Sequence, residues 1–335
     1  WSLTGETKDV ATLREAVLEQ RADTDAVFCR GCSMTDQDMK LEGFLECMDE
    51  MVSAEEQQRM MDEAVAAAKA CSQVVMLLGE DRRQSGEAAS SAVIQIPQIQ
   101  QELLDRVCAV CDQVSVVLFS GRPLDIRRIA DRAQAVLLAW MPGTEGARAL
   151  VDVLSGRYAP SGKLPMSFPY CAGQVPVHYN EYATGRPHVP GKDKDRFRSK
   201  YLDIPNRPLY PFGFGMTYTS FSISPVHLDK DHMTKDEILT ASVTIRNTGC
   251  VEGTETLQLY IHDVAASVVR PVKELKGFSK VTLQPDEQKD VSFFITEKEL
   301  RFLTENGRWE SEPGAFEVFV GTSSLADMPA RFVYG

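Results

Sequence analysis

The chain is 335 residues long and 43% hydrophobic, with a formal charge of −12 and a pI near 5.0. Nucleic acid and anionic membrane surfaces are met by a clustered positive field, so this balance argues against both as main partners. No stretch reaches the roughly 18 apolar residues of a spanning helix, which predicts a soluble chain, and no signal-peptide pattern opens at Trp1. The length and the hydrophobic fraction together predict two domains with sizeable cores.

Helix and strand alternate through the first 169 residues. Residues 9–20 read as an amphipathic helix, 25–30 as a short strand, and 55–71 as a helix rich in Ala, Met and Glu that Ser53 is placed to cap. The apolar run Val74, Val75, Met76, Leu77, Leu78 predicts a buried strand over 73–79, stopping at Gly79 and Glu80. A polar loop follows through Asp81, Arg82, Arg83, Gln84 and Ser85 to Glu87. Pro97 then starts a helix with Ile99, Leu103, Leu104, Val107 and Cys108 at helical spacing. Next come a strand over 114–118, a turn at 120–123, a short helix, a strand over 135–139 and a helix over 145–154. Strands separated by single helices imply right-handed crossovers and a mostly parallel sheet covered on both faces.

Residues 170–220 carry Gly, Pro, Tyr and charge without periodicity, and read as an ordered connector laid over other surfaces. From 221 to 335 alternation with period two takes over. Leu257, Leu259 and Ile261 point one way and Gln258, Tyr260 and His262 the other, as in a half-buried strand. Similar runs at 238–247, 271–282, 291–296 and 316–320, separated by turn residues, predict a β-sandwich. The fold class is therefore α/β plus all-β: an α/β sandwich domain over 1–169, a connector over 170–220 and a β domain over 221–335.

Ligands of open α/β sheets sit where parallel strands end, so the carboxylates after residue 79 are candidates for chemistry. Two neighbouring carboxyl groups can divide such chemistry, one ionised and the other a proton donor kept protonated by burial or a nearby negative charge. Glu87 lies among Ser85, Gly86, Ala88 and Ala89, small residues that allow close approach. Glu80 lies at the strand end, where Arg82 or Arg83 would pair with it, lower its pKa and suit it to a structural role.

The run Gly79-Glu80, then Ser85-Gly86-Glu87-Ala88-Ala89-Ser90-Ser91, then Ile94-Gln95-Ile96-Pro97-Gln98-Ile99-Gln100 resembles the acid/base segment of glycoside hydrolase family 3 β-glucosidases, those of the bacterial periplasmic type above all. The resemblance continues through 137–169 and 209–221. It implies a six-stranded α/β sandwich, then a fibronectin type III-like domain. It also implies a retaining, exo-acting β-glucosidase that releases terminal β-D-glucosyl units, with Glu87 as general acid/base and Glu80 as the alternative. A β-xylosidase or other exo-β-glycosidase of the family is the neighbouring reading. The partner would be a β-linked oligosaccharide or glycoside, with no cofactor and no metal. The family's catalytic barrel, with its nucleophilic aspartate, is expected to precede such a chain and is not in this sequence; the chain reads as the C-terminal part of a larger hydrolase. At Ser90 and Ser91 it departs from the arginine usual in the family. The segment 185–201 is expected along domain contacts.

Other residues have plainer readings. Cys29 with Cys32 and Cys108 with Cys111 form two Cys-x-x-Cys pairs, too far apart for a zinc ribbon, whose halves stand roughly 15–20 residues apart. The eight cysteines read as buried thiols in a reducing compartment, which predicts a cytoplasmic location; the family resemblance gives periplasmic or secreted as the alternative. His178, His188, His227, His232 and His262 lack ligand spacing, and Gly79-Glu80 lacks the glycines of a dinucleotide fingerprint. A non-catalytic binding or scaffolding protein is the alternative from a different class, but a carboxylate on a small-residue loop at a strand end favours the hydrolase.

Overall fold

The structure is a computed structural model that describes residues 7–20, 25–36, 52–189, 191–192 and 194–335. The chain forms two compact units, one from Trp1–Arg157 with Pro169–Gly173, the other from Tyr158–Phe168 with Gln174–Gly335. Residues 158–168 and 174–220 thus belong to the second unit, although the sequence assigns the first of these segments to the α/β domain and reads 170–220 as a connector.

The first unit contains α1 (Leu13–Gln20), α2 (Ala54–Ala70), β1 (Val74–Gly79), α3 (Gln98–Cys108), β2 (Val114–Phe119), α4 (Arg127–Arg132), β3 (Ala135–Leu138) and α5 (Gly146–Leu154). Its sheet is parallel in the order β1-β2-β3, with Met76 beside Val116 and Val116 beside Val136. Single helices between successive strands return the chain to the same sheet end, so all three strands deliver their carboxyl ends to one edge. The Ser53 hydroxyl accepts from Glu56 N–H and caps α2 as its position in the sequence predicts. Pro97 stands at the N-cap of α3 but offers no side-chain acceptor. Asp36 supplies one instead, taking Gln98 N–H and Ile99 N–H at 2.8 Å each.

Two expectations about this sheet are corrected. Residues 25–30 are in no strand: no ladder forms there among the described residues. The segment is held by side chains, with Arg14 over the Phe28 ring at 5.4 Å, and Leu103 packs against Gly31 just beyond it. Among the described residues the sheet has three strands, against the six that the resemblance implies. The sheet is also not covered on both faces at β1. Met76 and Leu78 are buried, whereas Val75 and Leu77 are 46% and 47% exposed.

The second unit is a β-sandwich. Its strands are β4 (Phe221–Ile223), β5 (His227–Leu228), β6 (His232–Met233), β7 (Leu239–Asn247), β8 (Gly253–Asp263), β9 (Glu274–Leu283), β10 (Gln288–Ile295), β11 (Phe302–Leu303), β12 (Trp309–Glu310), β13 (Gly314–Gly321) and β14 (Ala330–Tyr334). One sheet runs β10-β7-β4 with β5 also on β7, the other β6-β14-β13-β8-β9, and β11 pairs with β12. Leu257, Leu259 and Ile261 join Leu239, Ala241, Val243, Ile245, Phe316 and Phe332 in the core.

The opposite face of β8 is buried too, contrary to the half-buried reading. Gln258 Nε2 donates to Gly213 O at 3.0 Å and to Thr322 O at 2.9 Å, and the Tyr260 hydroxyl donates to Gln258 Oε1. Tyr179 stacks on Phe212 and meets Tyr260 edge-on, with ring centroids 4.3 and 5.8 Å apart. Lys163 Nζ lies 2.6 Å from Glu255 Oε1 and donates to Gly215 O. The aperiodic segment therefore lies on the sheet as a second cover, and burial pushes the Tyr260 hydroxyl pKa up.

Candidate active site

β1 brings Glu80 to the carboxyl edge of the parallel sheet, where Glu80 N–H donates to Phe119 O at 2.9 Å. The Glu80 side chain is 4% exposed, and a carboxylate so desolvated requires partners on both oxygens. Arg122 Nε lies 2.9 Å from Oε1 as an ion pair, outside hydrogen-bond alignment. The second oxygen, Oε2, accepts from the Ser120 hydroxyl at 2.9 Å and from Gly121 N–H at 3.2 Å. The cation is thus not the neighbouring Arg83, whose Nε lies 2.6 Å from Asp81 Oδ1; the other expected partner, Arg82, has a side chain that lies outside the described residues. Asp81 is fixed by its own turn: it accepts from Arg83 N–H, and its N–H donates to Gln84 Oε1.

Arg122 also reaches the loop. Its Nη2 donates to Gln84 O and, at 2.8 Å, to Ala89 O. These carbonyls stand on either side of Glu87, so one guanidinium ties both ends of the 84–89 loop to Glu80. Ser85 packs on Gly121 so closely that a Cβ there would lie 1.8 Å from Ser85 Oγ. At the tip, Ala89 N–H donates to Gly86 O at 3.3 Å, and Ala88 takes a φ of +59°, a conformation that a residue with a Cβ adopts only where its surroundings hold it.

Glu87 occupies that tip. It is exposed and makes no hydrogen bond or ion pair with the described residues. Beyond it, Ser90 and Ser91 are exposed, and the Ser91 hydroxyl donates to Val93 O at 2.6 Å. The two candidate carboxylates therefore differ in kind: Glu80 is sequestered and partnered on both oxygens, while Glu87 has no partner among the described residues and stands on a secured loop. The sequence reading missed Arg122, Ser120 and Gly121, treating 120–123 only as a turn. The signal was there in an arginine just after the strand beside the one that ends at Glu80.

A cavity of about 480 Å³ lies elsewhere on this unit, among Gln95, Asp125, Arg127, Arg128 and Arg132, and includes neither Glu80 nor Glu87. Its arginines are already matched: Arg127 pairs with Asp125 and lies over the Tyr170 ring at 5.0 Å, while Arg128 and Arg132 pair with Asp105. Among the described residues no three His, Cys, Asp or Glu side chains converge to hold a metal ion. No helix among them is long and apolar enough to cross a membrane. The thiols are less buried than expected. Cys111 is buried, but Cys29 and Cys250 are exposed, and Cys32, Cys71, Cys108 and Cys171 are half-buried; Cys47 lies outside the described residues.

Residues 2–218 match the family model described as the glycosyl hydrolase family 3 C-terminal domain, and residues 255–324 match the fibronectin type III-like domain. A periplasmic β-glucosidase of Salmonella typhimurium is 46% identical over 248 residues, 74% of this chain and 32% of that protein. A β-xylosidase of Formosa agariphila is 40% identical over 251 residues, 75% of this chain and 34% of that protein. The crystal structure of a β-glucosidase from Listeria innocua in complex with glucose superposes with a TM-score of 0.88 at 38% identity, over 100% of this chain and 43% of that one. The chain thus spans about a third of the length of the curated relatives it matches.

Proposed function

Because this chain belongs to glycosyl hydrolase family 3, carrying the family's C-terminal domain followed by a fibronectin type III-like domain, we propose that it serves a retaining, exo-acting β-glucosidase and supplies that enzyme's general acid/base, Glu87. What supports this reading is the contrast between Glu80, enclosed by Arg122, Ser120 and Gly121, and Glu87, an exposed carboxylate without a partner among the described residues, on a loop tied at both ends. A residue that gives a proton to substrate and later takes one from water must be able to reach both, which an exposed carboxylate at a loop tip can do and a buried, ion-paired one cannot.

The other half of the chemistry belongs to a barrel domain that works with this chain. Its aspartate attacks the anomeric carbon while the Glu87 carboxyl gives its proton to the departing glycosidic oxygen, leaving a glycosyl-enzyme ester and a Glu87 carboxylate. That carboxylate then takes a proton from water as the water attacks the same carbon, releasing the sugar with retained configuration and restoring the carboxyl. Contact with the barrel and bound sugar would take Glu87 out of bulk water, the kind of setting in which a carboxyl serves as a proton donor.

The substrate in this reading is a terminal β-glucoside. The β-xylosidase relative supports a β-xyloside as the second reading, since sugars of the two classes differ at groups the barrel would contact. We place the protein in the periplasm rather than the cytoplasm. The Salmonella relative is named periplasmic, and that likeness supports the placement.

The test is Glu87→Gln in the full-length enzyme. Hydrolysis of glucosides with poor leaving groups should fall roughly 10²- to 10⁴-fold, the range of general acid catalysis, while cleavage of the bond to an activated aryl leaving group should change far less. A loss of the same size for both would remove Glu87 from the acid role.

A further inference from the structure

We propose that Arg122 is a positioning residue for Glu87, holding the acid/base loop at its working height above the sheet; this rests on the reading of Glu87 as the acid/base. The loop from 84 to 89 has little of its own to fix it. It carries Gly86 and a left-handed Ala88, and its tip is exposed. Such a segment samples several conformations unless contacts from outside determine it. Arg122 provides these contacts. Its Nη2 bridges Gln84 O and Ala89 O, the carbonyls on either side of Glu87, and its Nε faces the buried Glu80.

Each part of this arrangement suits a fixed reference point. Glu80 lies at the end of a parallel strand and is itself held by the Ser120 hydroxyl and Gly121 N–H, so the anion cannot follow the loop. The Arg122 side chain is 20% exposed, which shields its contacts from water. A buried ion pair adds little to stability against its desolvation cost, so its value here lies in the geometry it imposes. The planar guanidinium fork can meet a carboxylate and two carbonyls together; an ammonium on a flexible stem cannot hold all three in the same plane. Displacing a catalytic group by about 1 Å costs on the order of 10²-fold in rate, so loosening the loop would be felt directly at the proton transfer.

The experiment is Arg122→Lys in the full-length enzyme, alone and combined with Glu87→Gln. The single variant should lose about 10- to 100-fold in kcat on glucosides with poor leaving groups, with KM nearly unchanged and a much smaller loss in cleavage of activated aryl glucosides. In the Glu87→Gln background the same substitution should cost less than about 3-fold, because neighbours acting through one group are not additive. If Arg122→Lys does not fold, Glu80→Gln takes its place and should give the same leaving-group pattern at smaller amplitude, because it loosens the anchor of Arg122. Losses equal for both leaving groups, or undiminished on the Glu87→Gln background, overturn the proposal while the acid role of Glu87 stands. A Glu87→Gln enzyme without leaving-group dependence overturns both.

Discussion

Ser85 Oγ occupies the space beside Gly121 that any larger residue would need: a Cβ on Gly121 would lie 1.8 Å from that oxygen and 2.8 Å from Ser85 Cβ. The turn after β2 and the start of the acidic loop are thereby fitted to each other at van der Waals distance. Gly121→Ala should push the loop outward, raising hydrogen exchange of the amides over 84–89, with an overpacking cost of about 1–3 kcal/mol in a urea melt. Unchanged exchange in that loop would show that the two segments are not coupled.

Gln258 joins the aperiodic segment to the sandwich through Gly213 O, Thr322 O and the Tyr260 hydroxyl. Gln258→Leu strands these groups away from water, at about 1–3 kcal/mol for each that finds no new partner. The expected result is a drop in the unfolding midpoint of the β unit, and enhanced proteolysis between 205 and 216. A midpoint within error of the parent would mean that the segment is held mainly by the Tyr179 and Phe212 rings.

These contacts also separate what the sequence revealed from what it hid. The strand at 74–79, the helix after Pro97 and the strand at 239–247 were legible because their hydrophobic period is local and each buries one continuous stripe. The double burial of β8 was not, because its cover comes from residues around 163, 179 and 213, and nothing in the alternation of Gln258 and Tyr260 announces them. The segment 25–30 reads as a strand and finds no strand partner among the described residues. At the site, Glu87 stood out by its small neighbours, yet the cation for Glu80 was sought at Arg82 or Arg83. Asp81 holds Arg83, and β2 brings Arg122 in from the next strand.

Asp36 and α3 offer a test of a long-range cap. Asp36→Ala removes the acceptors of Gln98 N–H and Ile99 N–H and should destabilise the α/β unit by about 0.5–2 kcal/mol, with Asp36→Asn losing less. A calorimetric scan of the protein checks this. Equal losses for alanine and asparagine would assign the effect to charge at the helix end rather than to the hydrogen bonds.

The β unit should also report acid through Glu237. The Thr234 N–H and hydroxyl, together with Lys230, hold its carboxyl at about 2 against an ordinary 4.5. A folded pKa below the unfolded one means that the stabilisation is complete above pH 4.5 and is lost as the pH falls toward 2. The difference in Tm between the parent and Glu237→Gln should therefore be constant from neutrality to about pH 5 and shrink below it. A difference that stays constant down to pH 3 would exclude the titration of Glu237 as its source.

The assignment of Glu87 as the acid/base is tested most directly by azide. In a full-length Glu87→Ala enzyme, activated aryl glucosides still form the glycosyl-enzyme, but its hydrolysis lacks a base, so release of sugar becomes slow. Azide needs no base and no longer meets a carboxylate. It should accelerate turnover and yield a β-glycosyl azide, while Glu80→Gln, which retains the Glu87 carboxylate, should not respond. Azide rescue of the Glu80 variant with none in the Glu87 variant would contradict this account and move the acid/base to the strand end.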